Sequence, residues 1–182
     1  MQVGVRYGVL KGAWSLALGR ALDLPTGDKN RRGFGYQDPV IFISLPTGDG
    51  EWNVWGRAAL SHSFAPRLPA YVTFDAGYNQ RTQGFTSQYT YGAEVGYQVG
   101  YQVGKAWLTA SVRPLANVHQ PNTEKFGAIG LGEGVAYSSA ALGLNYAVTK
   151  HWWATANVAA GFGRLRNVYS GLQPTLGVAF EW

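Results

Sequence analysis

The sequence predicts an all-β protein: a single domain over residues 1–182, folded as a transmembrane antiparallel up-and-down β-barrel of eight to ten strands, with ten the expected number. Three observations predict it. Apolar residues recur at every second position through nine segments, a tenth is a short continuous apolar run, and no stretch sustains the 3.6-residue spacing of an amphipathic helix. From residue 52 onward the connections alternate between short (65–69, about 104, 149–150) and long (79–88, 119–133, 164–171), as turns at one rim and loops at the other would. The last stretch places Leu172, Pro174, Leu176, Val178, Phe180 and Trp182 on one wholly apolar face. Such a strand invites edge pairing, which a closed barrel removes by zipping the last strand to the first.

Taken in order, Val3, Val5, Tyr7 and Val9 alternate with Gln2, Gly4, Arg6 and Gly8 ahead of a Lys11-Gly12 turn. Ala13 to Leu24 sets Trp14, Leu16, Leu18, Leu22 and Leu24 on one face. Arg20 falls on that face too, so it either snorkels to an interface or sits beside a bulge near Gly19. Val40 to Leu45 is a short apolar run between two copies of Leu-Pro-Thr-Gly-Asp, at 24–28 and 45–49. Trp52 to Phe64, Ala70 to Tyr78, Tyr89 to Val103, Ala106 to Val118, Ala136 to Val148 and Trp152 to Phe162 alternate in turn. The 89–103 run carries a tandem Gly-Tyr-Gln-Val at 96–103. Four is an even number, so the duplication lengthens the strand without swapping its faces. At roughly 3.3 Å per residue the run reaches about 50 Å, so one end is expected to project or turn early.

Ten segments satisfy an even strand count but put the polar loop at 25–39 on the short-turn side. Assigning Val40 to Leu45 to a loop instead leaves nine strands, with the first starting on the loop side and an upstream strand expected to be missing.

Composition narrows the classes further. Mean hydropathy is slightly negative and no apolar run approaches the roughly 20 residues of a membrane helix. All five lysines, at 11, 29, 105, 125 and 150, lie between the alternating segments, whereas a water-exposed sheet carries them mid-strand. The chain has no cysteine, which is compatible with an oxidising compartment. Met1 runs straight into the first segment, so an exported form is expected to have lost its targeting peptide. The pI near 9.5 comes without a basic helix, finger or aromatic RNA-binding motif, and nucleic acid is not an expected partner.

The C-terminal stretch resembles the signal strand of bacterial outer-membrane barrels, which assigns Leu176, Val178, Phe180 and Trp182 to recognition by the outer-membrane assembly machinery. Trp14 to Asp28, the Gly48-Asp49-Gly50-Glu51-Trp52 entry, Ala76 to Thr82 and the terminal Phe180-Glu181-Trp182 together resemble the outer-membrane barrels associated with meta-pathway phenol degradation, distant relatives of hydrophobic-compound uptake channels. The resemblance implies an integral bacterial outer-membrane location and a small hydrophobic or aromatic solute. This chain is shorter than members of that group.

The polar faces gather Arg6, Arg57 and Arg113 with Asp75 and Glu94, which are expected to face the lumen as a hydrogen-bonded ladder. Arg31, Arg32, Arg81, Lys125, Arg164 and Arg166 are expected in loops, contacting the phosphates of membrane lipopolysaccharide. Ser61, His62 and Ser63 lie near Asp75, but His62 takes the apolar face and Asp75 the polar one, so no hydrolase and no enzyme is expected. The histidines lack metal-ligand spacing, so neither metal nor cofactor is expected. The repeated Pro-Thr-Gly-Asp reads as turn chemistry, since no Gly-Lys-Ser/Thr and helix follow it. The expected function is a passive channel or binding barrel for small hydrophobic or aromatic compounds; the alternative is a closed structural or adhesive barrel acting through its loops.

Overall fold

Period-two alternation yields strands almost where the pattern places them. The computed structural model describes residues 1–28, 30, 32–34, 42–44, 47–48, 50, 51–100, 105–120, 133–166, 168 and 170–180, with the backbone alone at 32–34, 42–44, 164 and 166. Among the described residues eleven strands occur: β1 (Gln2–Leu10), β2 (Trp14–Asp23), β3 (Arg32–Phe34), β4 (Phe42–Ser44), β5 (Asn53–Ser63), β6 (Ala70–Arg81), β7 (Gln88–Val99), β8 (Ala106–Asn117), β9 (Ala136–Ala147), β10 (Trp152–Arg166) and β11 (Gln173–Phe180). Nine of them make one antiparallel meander in the order β1-β2-β5-β6-β7-β8-β9-β10-β11, and no helix occurs among the described residues.

Three expectations need correction. The run around 40–45 is not a tenth strand of the sheet, because Phe42–Ser44 pairs with Arg32–Phe34 in a separate two-stranded ribbon. Folding that ribbon into the 24–52 connection lets β2 pair directly with β5, which puts the connection on the loop end. Nor is the sheet closed: β1 and β11 are its two edges, exposed along their whole length. An odd number of antiparallel strands makes β1 and β11 run in the same direction, so a direct seam between them needs the slanted parallel ladder rather than the antiparallel one used everywhere else. Finally, β6 continues to Arg81 and β10 to Arg166, taking up the starts of the expected loops at 79–88 and 164–171. The connection at 82–87 is therefore no longer than the one at 100–105. Within the tandem repeat, β7 ends at Val99, the last residue of the first copy, and Gly100 has a φ of 82°.

The ladders settle which residues share a face. One row runs Val5, Arg20, Gly56, Tyr78, Tyr89 across five strands, so Arg20 sits in register on the face of exposed apolar side chains, and no bulge interrupts β2 at Gly19. Its row contains two tyrosines and lies near the loop end.

Gly27 and Asp28 of the first Leu-Pro-Thr-Gly-Asp copy meet Thr47 and Gly48 of the second at the neck of the 24–52 connection. The Thr47 amide donates to the Asp28 carbonyl at 3.0 Å, and the Asp28 amide donates to Thr47 Oγ1 at 2.9 Å. Gly27 packs so closely that a Cβ there would lie 2.6 Å from the Thr47 carbonyl carbon and 2.7 Å from Gly48 Cα. The repeat is a clasp of two backbones.

Candidate functional site: the concave polar face

One face of the sheet carries nearly all the polar side chains and surrounds a cleft of ≈ 790 Å³, lined from β1 round to β9. Its central row is continuous across seven strands: Arg6, Gly19, Arg57, Gly77, Thr90, Leu115, Tyr137. The pleat puts every second residue here, and glycine stands beside both arginines of the row, Gly19 between Arg6 and Arg57 and Gly77 next to Arg57. A Cβ at Gly77 would contact the Arg57 side chain at 3.5 Å, and one at Gly19 would contact Arg6 Cβ at 3.9 Å.

Five residues expected to point to one side do share this face: Arg6, Arg57, Asp75, Glu94 and Arg113. They do not form one continuous ladder. Arg113 donates to Asp75 through a two-pronged contact, Nη2 to Oδ1 at 2.7 Å and Nε to Oδ2 at 3.2 Å, across the space that Gly92 leaves open. Glu94 instead accepts from the Tyr71 hydroxyl at 2.7 Å. Asp23 accepts from Gln2 Nε2 at 2.6 Å and from Trp55 Nε1 at 2.9 Å. Arg57 lies over the Trp55 ring, 4.9 Å from its centroid. Each of these carboxylates is thus held by a donor, and among the described residues Arg6 and Arg57 have no carboxylate partner.

Tyr71 shows how tightly the face is fitted. Its ring lies over Gly96 and against Trp107, centroids 5.3 Å apart. A Cβ at Gly96 would fall 2.5 Å from Tyr71 Cζ and 2.9 Å from Cδ1. Gly96→Val therefore displaces the ring, breaks the Glu94 bond and lowers the urea midpoint by the equivalent of about 1–3 kcal/mol. The same change in a Tyr71→Ala background is expected to cost far less; equal costs in both backgrounds would contradict the fit.

A second polar cluster closes the loop end. Arg81 was expected as an exposed loop residue, but it is the last residue of β6 on the concave face and only 7% exposed. Its guanidinium donates to the equally buried Glu51 and covers the Phe85 ring at 4.6 Å. Thr82 and Trp52 exchange backbone and hydroxyl bonds of 2.9–3.1 Å beside it. Asn79 donates to Asn53 at 3.1 Å, and Gln88 and Asn117 both donate to the Val135 carbonyl at 3.3 Å. Glu133, fully buried, accepts from the Thr86 amide. Among the described residues, these loop-end positions hold all the buried polar and charged side chains.

The other expected loop contacts are spread differently. Arg164 and Arg166 belong to β10 rather than a loop, Arg32 lies in β3, and Arg31 and Lys125 fall outside the described residues. Leu176, Val178 and Phe180 line one exposed face of β11, and Trp182 falls outside the described residues. His62 is on the apolar face against Trp14 and Phe64, centroids 4.4 and 4.8 Å away, and its ladder to β6 is unbroken, so it does not face Asp75.

Trp55, Tyr71 and Tyr137 escaped the sequence reading, yet their parity carries the signal: each aromatic occupies the phase of the polar residues in its strand. No protein-family model matches the chain, and no curated protein matches it.

Proposed function

We propose that the chain forms a bacterial outer-membrane β-barrel that passes or binds small hydrophobic or aromatic compounds. One observation carries this reading: the inversion of polarity. Ala147 is the one buried hydrophobic residue among those described, while Val5, Tyr7, Leu142, Leu176 and Val178 are 63–84% exposed. At about 25 cal/mol per Å² of apolar surface, water is a poor solvent for that face and hydrocarbon a good one. Aromatic side chains gather in two belts. Trp14, Phe64, Trp152 and Phe180 lie at the turn end; Trp52, Tyr78, Tyr89 and Tyr91 lie at the loop end. Tyr89 and Tyr97 of β7 mark the belts at a spacing of about 26 Å along the strand, or about 20 Å along the normal at the usual tilt, within the roughly 25 Å apolar band of such barrels. The concave cleft is lined by small residues and arginines together with Trp55 and Tyr137, and those two rings suit a compact ring-bearing solute.

Reconstitution in planar bilayers and in swelling liposomes tests the proposal. Discrete conductance and solute entry are expected; a sealed protein in both assays overturns passage. A folded monomer in surfactant-free buffer overturns the membrane reading itself. A second reading, a closed barrel acting through its loops, is favoured by the polar cluster at the loop end. Intact folding in detergent with no conductance selects it.

A further inference from the structure

We infer that the concave cleft is a binding site for an aromatic carboxylate, an organic anion with a flat apolar body. The inference deepens the function proposed above by naming the solute's charge. It starts from an imbalance in which groups are already satisfied. Asp75 is occupied by Arg113, Asp23 by Gln2 and Trp55, and Glu94 by Tyr71. Arg6 and Arg57 point into the same cleft with no carboxylate partner among the described residues. Both residues are exposed on the open sheet, so their N–H groups are within reach of an incoming anion.

The row geometry makes the two arginines act together. Arg6 and Arg57 are two strands apart, and the position between them is Gly19, so no side chain separates the heads. The Arg57 guanidinium carbon lies 4.9 Å from the centroid of the Trp55 ring, and its N–H groups can donate a two-pronged bond to a carboxylate. Farther along the same row, past Gly77 and Thr90, come Leu115 and Tyr137. Arg57 and Leu115 are three strands apart, about 14 Å along the sheet. That arrangement matches a solute with a charge at one end and an apolar ring at the other. The ≈ 790 Å³ cleft falls in the range of roughly 300–1,000 Å³ typical of small-molecule sites. A cationic solute meets two unpaired positive charges here, and a neutral one leaves both arginines without a partner.

Equilibrium dialysis of radiolabelled benzoate against the detergent-folded full chain tests the site directly, with benzyl alcohol and benzylamine as competitors. Saturable benzoate binding is expected, displaced by neither competitor at equal concentration. Arg57→Gln and Arg6→Gln should each weaken it at least about tenfold, and the turn variant Lys11→Gln should leave it unchanged. Arg57→Lys, which keeps the charge but loses the fork, should bind with intermediate affinity, and it provides a readout if the glutamine variant fails to fold. Absence of saturable binding by the parent, or binding retained by the Arg6→Gln/Arg57→Gln double variant, overturns the inference. Dialysis needs no open pore, so benzoate binding by a protein that is sealed in bilayers removes passage while leaving the site. A conducting protein indifferent to benzoate does the reverse.

Discussion

Replacing Arg81 with methionine should lower the stability of the folded chain by about 3–5 kcal/mol, the usual cost of removing one member of a buried ion pair. The side chains of Arg81 and Glu51 are only 4% and 6% exposed, so Glu51 cannot recover its hydration in place once its partner is gone. The contrast is Arg113→Met. That arginine is 48% exposed, its Asp75 partner 21%, and a pair so open to solvent is worth about 1 kcal/mol or less. Glu51→Met added to Arg81→Met should restore most of the loss, because two apolar side chains in that space need no compensation. Urea titrations of the four proteins decide the matter. Equal losses for Arg81→Met and Arg113→Met, or a double variant no better than the single, would mean that the pair does not hold β6 to the 50–52 segment.

The second large effect is local. Gly27→Val or Gly48→Val forces a branched side chain against backbone at the clasp, where even a bare Cβ at Gly27 would sit 2.7 Å from Gly48 Cα. Backbone cannot rotate away as a side chain does, so the neck must open, at an expected cost of about 1–3 kcal/mol. Cleavage within 28–47 by a protease at limiting concentration should accelerate by roughly tenfold to a hundredfold, since it tracks the population of the open form. Gly56→Ala serves as the control: nothing lies within 4 Å of a Cβ there, and both stability and cleavage should hold. Unchanged cleavage in the Gly27 and Gly48 variants would dissolve the clasp.

Much of the strand map was legible because a period of two is a local property. Every strand of the main sheet falls on an alternating segment, and the separation of His62 from Asp75 follows from parity alone, confirmed by an unbroken β5–β6 ladder. The fate of 40–45 was not legible. Its partner, Arg32-Gly33-Phe34, shows no alternation, and an apolar run alone does not say which neighbour it pairs with. Arg81 was misplaced for a related reason: its burial depends on Glu51, thirty residues upstream, and composition around 79–88 reads as an ordinary polar loop. On the concave face the five charged residues were found by parity, but how they pair was not, since hydroxyl and indole donors from Tyr71 and Trp55 take acceptors that a count of charges would assign to arginines.

The odd strand number gives the molecule a polarity that an even meander lacks. Met1 bonds to Leu24 and Thr26 at the loop pole, whereas β11 finishes beside Trp152 at the turn pole. Fusions appended upstream of β1 and downstream of β11 therefore emerge from opposite ends of the sheet.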